Sequence, residues 1–128
     1  MHRAIGIAQN CVRATGTILL VLGIVIWTGH GAGLVPAHML LGVLFVLSLW
    51  GVAAVGLRAR IEYVLPVRLI VWGIVIGWFG MAQSHLLVGD LHWVIRVLHL
   101  AVGLIAIGLA ETVGARVRRA ETAVAGRP

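Results

Sequence analysis

Four long apolar runs, separated by connections that are alternately free of arginine and rich in it, constrain this chain more than any other feature. The runs cover roughly residues 14–30, 37–57, 66–85 and 91–113. A helix needs about 20 residues at 1.5 Å per residue to cross a hydrocarbon layer, and each run is close to that length. Inside a bilayer the backbone must satisfy its own hydrogen bonds, so the runs are expected to be helices. Composition agrees: 61% of residues are hydrophobic and the mean hydropathy is +1.07, whereas soluble domains are about 45–50% apolar.

The basic residues fix an expected topology. The chain carries a net charge of +6, and all of its ten basic residues are arginines. In a soluble protein that balance would suggest nucleic acid. Here the arginines sit between apolar runs and report membrane orientation, so no nucleic-acid partner is expected. Arg3 and Arg13 precede the first run; Arg58, Arg60 and Arg68 flank the second connection; Arg116, Arg118, Arg119 and Arg127 follow the fourth run. The connections 29–36 and 86–90 have none, which leaves Arg96 as the exception. The positive-inside rule then places both termini in the cytoplasm of a bacterial-type inner (plasma) membrane, with the lipid bilayer as the main partner. Trp27 and Trp93 fall near the outer interface and Tyr63 near the inner one. The first run could be mistaken for a secretory signal, but it is long for one and lacks a small-x-small cleavage site. The expected fold is all-α: an integral-membrane, up-down four-helix bundle forming one transmembrane domain over 1–128, with 114–128 as a basic cytoplasmic tail. In such a bundle successive helices are neighbours, and helices 1/3 and 2/4 lie diagonally.

Set on that topology, the histidines are not scattered. His30 lies 17 residues after Arg13, His85 lies 17 after Arg68, His99 lies 17 before Arg116 and His38 lies 20 before Arg58. At 1.5 Å per residue those four stand within about 5 Å of one level, in the outer half of the membrane. His92 joins them at the rim. His92, Arg96 and His99 share one helical face, and Gly103 continues it one turn below His99. Intramembrane ionisable groups normally face a partner or a cavity.

A weak internal repeat sharpens the pattern. His38-Met-Leu-Leu-Gly42 and His99-Leu-Ala-Val-Gly103 share His-xxx-Gly followed by aliphatics, and each follows an outward connection with another histidine, His30 or His85. Two related hairpins would set His38 and His99 facing each other on diagonal helices, each with a glycine one turn below. Two opposed imidazoles, small residues beside a flat macrocycle and a cation for its carboxylates are what a bis-histidine b-type haem requires. Arg96 can supply the cation. The expected site is therefore His38 and His99 as iron ligands, Gly42 and Gly103 as clearance, and Arg96 for the propionates. Met39 and Met81 are alternative axial ligands in principle, although methionine in an apolar helix usually serves packing.

In this layout the chain resembles the small four-helix membrane cytochromes b, of which the cytochrome b561-like group is the familiar case. The resemblance implies haem b, one or two per chain, and electron transfer or another oxidoreductase reaction with quinol, superoxide or a small redox partner near the outer surface. The second haem that those cytochromes often hold near the cytoplasmic side has no histidine pair here, so two haems would have to share the outer half. Gln83, Asp90, His92 and His30 could line a proton or substrate entrance.

Other readings stay open at this point. Three or four imidazoles at one level, drawn from His30, His38, His85, His92 and His99, could bind zinc or copper without a thiolate. The chain is also of a size with small four-span transporters, and a structural subunit would place histidines at an interface with no ligand at all. Gly73 and Gly77 form a small-xxx-small pair suited to a homo-oligomer seam or to packing within the bundle. Cys11 reads as a small apolar filler, and Glu111 as an anchor for the inner end of helix 4. No nucleophile triad or phosphate loop occurs.

Overall fold

The computed structural model describes residues 2–125. It consists of α1 (His2–Trp27), α2 (Val35–Arg58), α3 (Val64–Ala82) and α4 (His92–Ala125), with single 3₁₀ turns at Ala32–Leu34 and Gln83–His85. All four helices are long and apolar enough to cross a membrane. Arg127, counted above in the basic tail, lies outside the described residues.

The connections show why the helices stop where they do. Gly29 takes a left-handed φ of +85°, which turns the chain out of α1 while its amide still donates to Ile26 at 3.1 Å; glycine enters this region without a Cβ clash. Pro36 occupies the first turn of α2, where an amide would lack a helical partner anyway. At the other end of α2, Arg60 adopts φ +53° and its amide donates to Leu57 at 3.2 Å. A residue with a Cβ is strained there by about 1 kcal/mol.

Short connections force each helix to fold back on the one before. α4 also packs against α1 and across the diagonal against α2, whereas α1 and α3 do not touch among the described residues. The cross-section is therefore a rhombus whose short diagonal joins α2 to α4.

The core follows from four stripes at three- and four-residue spacing, the period that keeps side chains on one helical face. They are Ile5, Gln9, Val12 and Gly16 on α1; Phe45, Leu49, Val52 and Gly56 on α2; Pro66, Leu69, Gly73 and Ile76 on α3; and Ala106, Ala110, Val113 and Val117 on α4. The stripes lie mainly in the half of the bundle nearer the arginine-rich connection, although Ile76 stands past the middle of α3 and Ile95 of α4 is also buried toward the other end. Large aliphatics such as Leu40, Val43, Ile74 and Leu104 point outward, as lipid-facing residues do. Gly73 is taken up inside the chain, not at an outer seam: a Cβ there would stand 2.7 Å from Trp50 Nε1, which donates to the Ile70 carbonyl at 3.2 Å. Gly77 meets nothing within 4 Å.

The largest departure from the sequence reading is at the two ends of the chain. The segment expected as a lead-in, residues 1–13, is helical from His2 onward, and the expected tail continues α4 to Ala125. The start of α1 packs on the inner part of α4, where Ile5, Val12, Val113 and Val117 are fully buried in the common core, and a polar network joins the two helices. The Gln9 side chain is only 2% exposed. Its Nε2 donates to Glu111 Oε2 at 3.0 Å, and its Oε1 accepts from Arg118. Arg13 forks onto the same carboxylate, Nε to Oε1 at 2.7 Å and Nη2 to Oε2 at 2.8 Å. Such bidentate, charge-assisted pairing is geometrically specific. Gly114 permits it, because a Cβ at that position would overlap the Gln9 amide.

Candidate functional site

At the opposite end from that network, α2 and α4 each present one imidazole to the interior. The ring centroids of His38 and His99 stand 6.3 Å apart, with the planes tilted by 49°. Both Nδ1 atoms are buried, and neither has a hydrogen-bond partner among the described residues. A buried polar atom left unpaired costs about 1–3 kcal/mol, so two of them side by side require an explanation that packing does not supply.

The neighbouring helices shape the space around the pair. A Cβ on Gly23 of α1 would lie 3.6 Å from His38 Cε1, and one on Gly80 of α3 would lie 3.5 Å from His99 Cε1. Each hairpin thus sets the histidine of its second helix against a glycine of its first, which gives the internal repeat a three-dimensional counterpart. Phe79 stacks on His99, with centroids 5.7 Å apart and planes 30° apart. One turn further into the bundle, Gly42 and Gly103 are half-buried, yet nothing lies within 4 Å of where either Cβ would stand. Trp72 Nε1 donates to the Val102 carbonyl at 2.9 Å and ties α3 to α4 beside this space.

The other expected ligands are not part of this arrangement. His30 and His85 are exposed in the connections, with His30 Nδ1 3.4 Å from Thr28 Oγ1. His92 Nδ1 donates to the Leu86 carbonyl at 3.2 Å, a bond that closes the connection before α4. Among the described residues no group of three His, Cys, Asp or Glu side chains is placed to hold a metal ion. The level of imidazoles inferred from residue counting therefore resolves into one interior pair and three rim residues. Met39 and Met81 are 53% and 66% exposed and face away from the pair, so the helix surface, not the site, explains them. Arg96 is exposed and pairs with no described residue. Gln83 and Asp90 lie in the 83–91 connection with His85, and His92 follows as the first residue of α4. Cys11 is exposed as a free thiol and not packed as filler.

Gly23, Phe79 and Gly80 are the contributors that sequence reasoning missed. Each lies within an apolar run whose surface is hydrophobic all round, so no polar face marked which side turns inward. Comparison with known proteins finds no matching family model, no matching curated protein and no matching solved structure.

Proposed function

We propose that this chain is a multi-pass membrane protein that holds a b-type haem between His38 and His99 and serves in electron transfer. The observation that carries the reading is the imidazole pair itself. An imidazole centroid stands about 3 Å from a metal bound at a ring nitrogen, so two imidazoles on opposite sides of one ion stand about 6 Å apart. The separation of 6.3 Å meets that requirement. The unpaired ring nitrogens and the open space beside Gly42 and Gly103 fit the same group. A single interior pair favours one haem per chain over two, and favours haem over a zinc or copper ion, which wants three or more converging ligands.

Bound there, the haem supplies one-electron chemistry. The chain's own residues do the rest. His38 and His99 would hold the iron, Gly42 and Gly103 would leave room for the group, and Phe79, stacked on His99, restrains that ring. Arg96, exposed one turn outward on α4, offers a cation to carboxylate groups. Lipid-facing aliphatics keep water from the ring's faces. By the positive-inside rule the arginine end faces the cytoplasm, which puts the histidine end at the outer side, open to quinol or another small redox partner.

The test is the visible spectrum of the protein, purified after expression with ample haem, before and after reduction. A sharp low-spin haem band is expected, His38→Ala and His99→Ala abolish or convert it, and His92→Ala leaves it largely intact. A colourless protein that retains stoichiometric zinc or copper would overturn the reading.

A further inference from the structure

Charged side chains fix a level at the arginine end from which depth can be counted. Gly80 of α3 meets His99 of α4, and Arg68 and Glu111 each lie 12 residues further inward on those helices, so the two charges share a level. Arg68 is exposed there, and Glu111 carries the Arg13 pair. Counting outward, His85 lies 17 residues after Arg68 and His92 lies 19 before Glu111, distances of about 26 and 28 Å along a helix. A hydrocarbon core is about 30 Å thick. With these charges at one edge of it, the connection 86–91 stands at the opposite edge and not out in water. Between the two levels α3 carries no Arg, Asp or Glu, and α4 carries Arg96 alone, one turn inside His92, where a long side chain reaches back to water.

The connection itself presents apolar groups on a fixed turn. Leu87 adopts φ +44° and Gly89 φ +103°; a leucine in the left-handed region is strained. Backbone bonds hold the turn, from the Leu86 amide to the Gln83 carbonyl at 3.3 Å and from the His92 amide to the Gly89 carbonyl at 3.0 Å. Leu87, Val88, Leu91 and Trp93 are all exposed, Val88 by 80%. At the other end of the bundle the left-handed residue is Arg60, a side chain suited to water. We infer that the connection 86–91 is a lipid-inserted tip, whose partner is the boundary between acyl chains and headgroups in the leaflet at the histidine end. Tryptophan favours that boundary. The connection has no arginine or lysine, so apolar insertion and not attraction to anionic headgroups holds it. The tip anchors the outer ends of α3 and α4, the helices that carry Phe79, Gly80 and His99. This rests on the membrane reading above and is independent of haem.

The experiment uses the full chain in phosphatidylcholine vesicles, with Cys11→Ser as background and a nitroxide label on Val88→Cys. Its relaxation is read with oxygen, which concentrates among acyl chains, and with a nickel chelate, which stays in water. Labels on Ile74→Cys, on the exposed surface of α3, and on Thr122→Cys, exposed at the arginine end, give the lipid and water references. The ratio of oxygen to nickel access at position 88 is expected to exceed that at position 122 by about fivefold or more, as for groups that insert about 5–10 Å into the boundary. A water-like ratio at position 88 with a lipid-like one at position 74 overturns this inference and leaves the membrane reading standing. Water-like ratios at both overturn both. A label at position 88 shielded from both reagents means that a protein surface, such as a second copy, covers the tip, and it overturns the inference as well. Should Val88→Cys fail to fold, Leu91→Cys decides by the same criteria.

Discussion

The two halves of this bundle solve opposite problems. At the arginine end the interior is closed: small and aliphatic side chains interdigitate, and the buried amide of Gln9 is bonded at both its nitrogen and its oxygen. At the histidine end two buried ring nitrogens have no partner among the described residues, and two half-buried glycines border open space. Both halves contain polar groups among apolar helices, but only one half satisfies them internally. The contrast separates structure from function in a chain with no catalytic motif. A polar group that the fold itself completes is architecture, whereas the pair left incomplete is where we propose that a ligand binds.

The sharpest way to break the comparison is to remove bulk from the closed half. Leu49→Ala should destabilise the fold by about 3 kcal/mol, because the side chain is fully buried and the cavity adds to the lost transfer energy. Thermal or denaturant unfolding in detergent measures it, and a change below about 1 kcal/mol would mean that this half is not tightly packed. Gly114→Ala comes next. Its Cβ must displace Gln9 and break the bonds that join α1 to α4, at a cost of about 2 kcal/mol. Glu111→Gln should cost less, about 1 kcal/mol, since the side chains of Arg13 and Glu111 are 54% and 35% exposed and solvent screens the pair.

Gly42→Ala sharpens the comparison by reversing the sign. Nothing lies within reach of the new methyl group, so the fold gains about 0.5–1 kcal/mol from the better helix former. If a flat ring uses that space, haem content falls although the protein becomes more stable. Parallel measurement of melting and of haem per chain separates the two effects. Stability and haem content rising together would exclude Gly42 from the cradle.

Much of this was legible in the sequence, for identifiable reasons. Helix number and the turning points followed from hydrophobic length and from Gly29, Pro36 and the arginines. The common level of His38 and His99 followed from counting depth against those arginines, because rise per residue is a constant of the helix, and their facing from the two His-xxx-Gly hairpins on diagonal helices. What depth cannot give is rotation. Phe79, Gly23 and Gly80 lie within runs that are apolar on every side, so no periodicity marks their inner face. The N-terminal part of α1 was hidden for another reason. Arg3, Gln9 and Arg13 made residues 1–13 look like a polar lead-in, although Ile5, Gln9, Val12 and Gly16 already keep the spacing of a helix face. The signal that would have found it is the complementary trio Glu111, Gly114 and Arg118, at three- and four-residue spacing on the far helix.

The central claim is that the unpaired imidazoles of His38 and His99 hold one haem between them. Low-temperature electron paramagnetic resonance of the oxidised wild type, with haem per chain quantified on the same sample, tests it most directly. The account expects one haem per chain and a low-spin ferric signal of the bis-imidazole type. A protein free of haem, or one whose ferric signal is high-spin and unaltered in the His38→Ala variant, would contradict it.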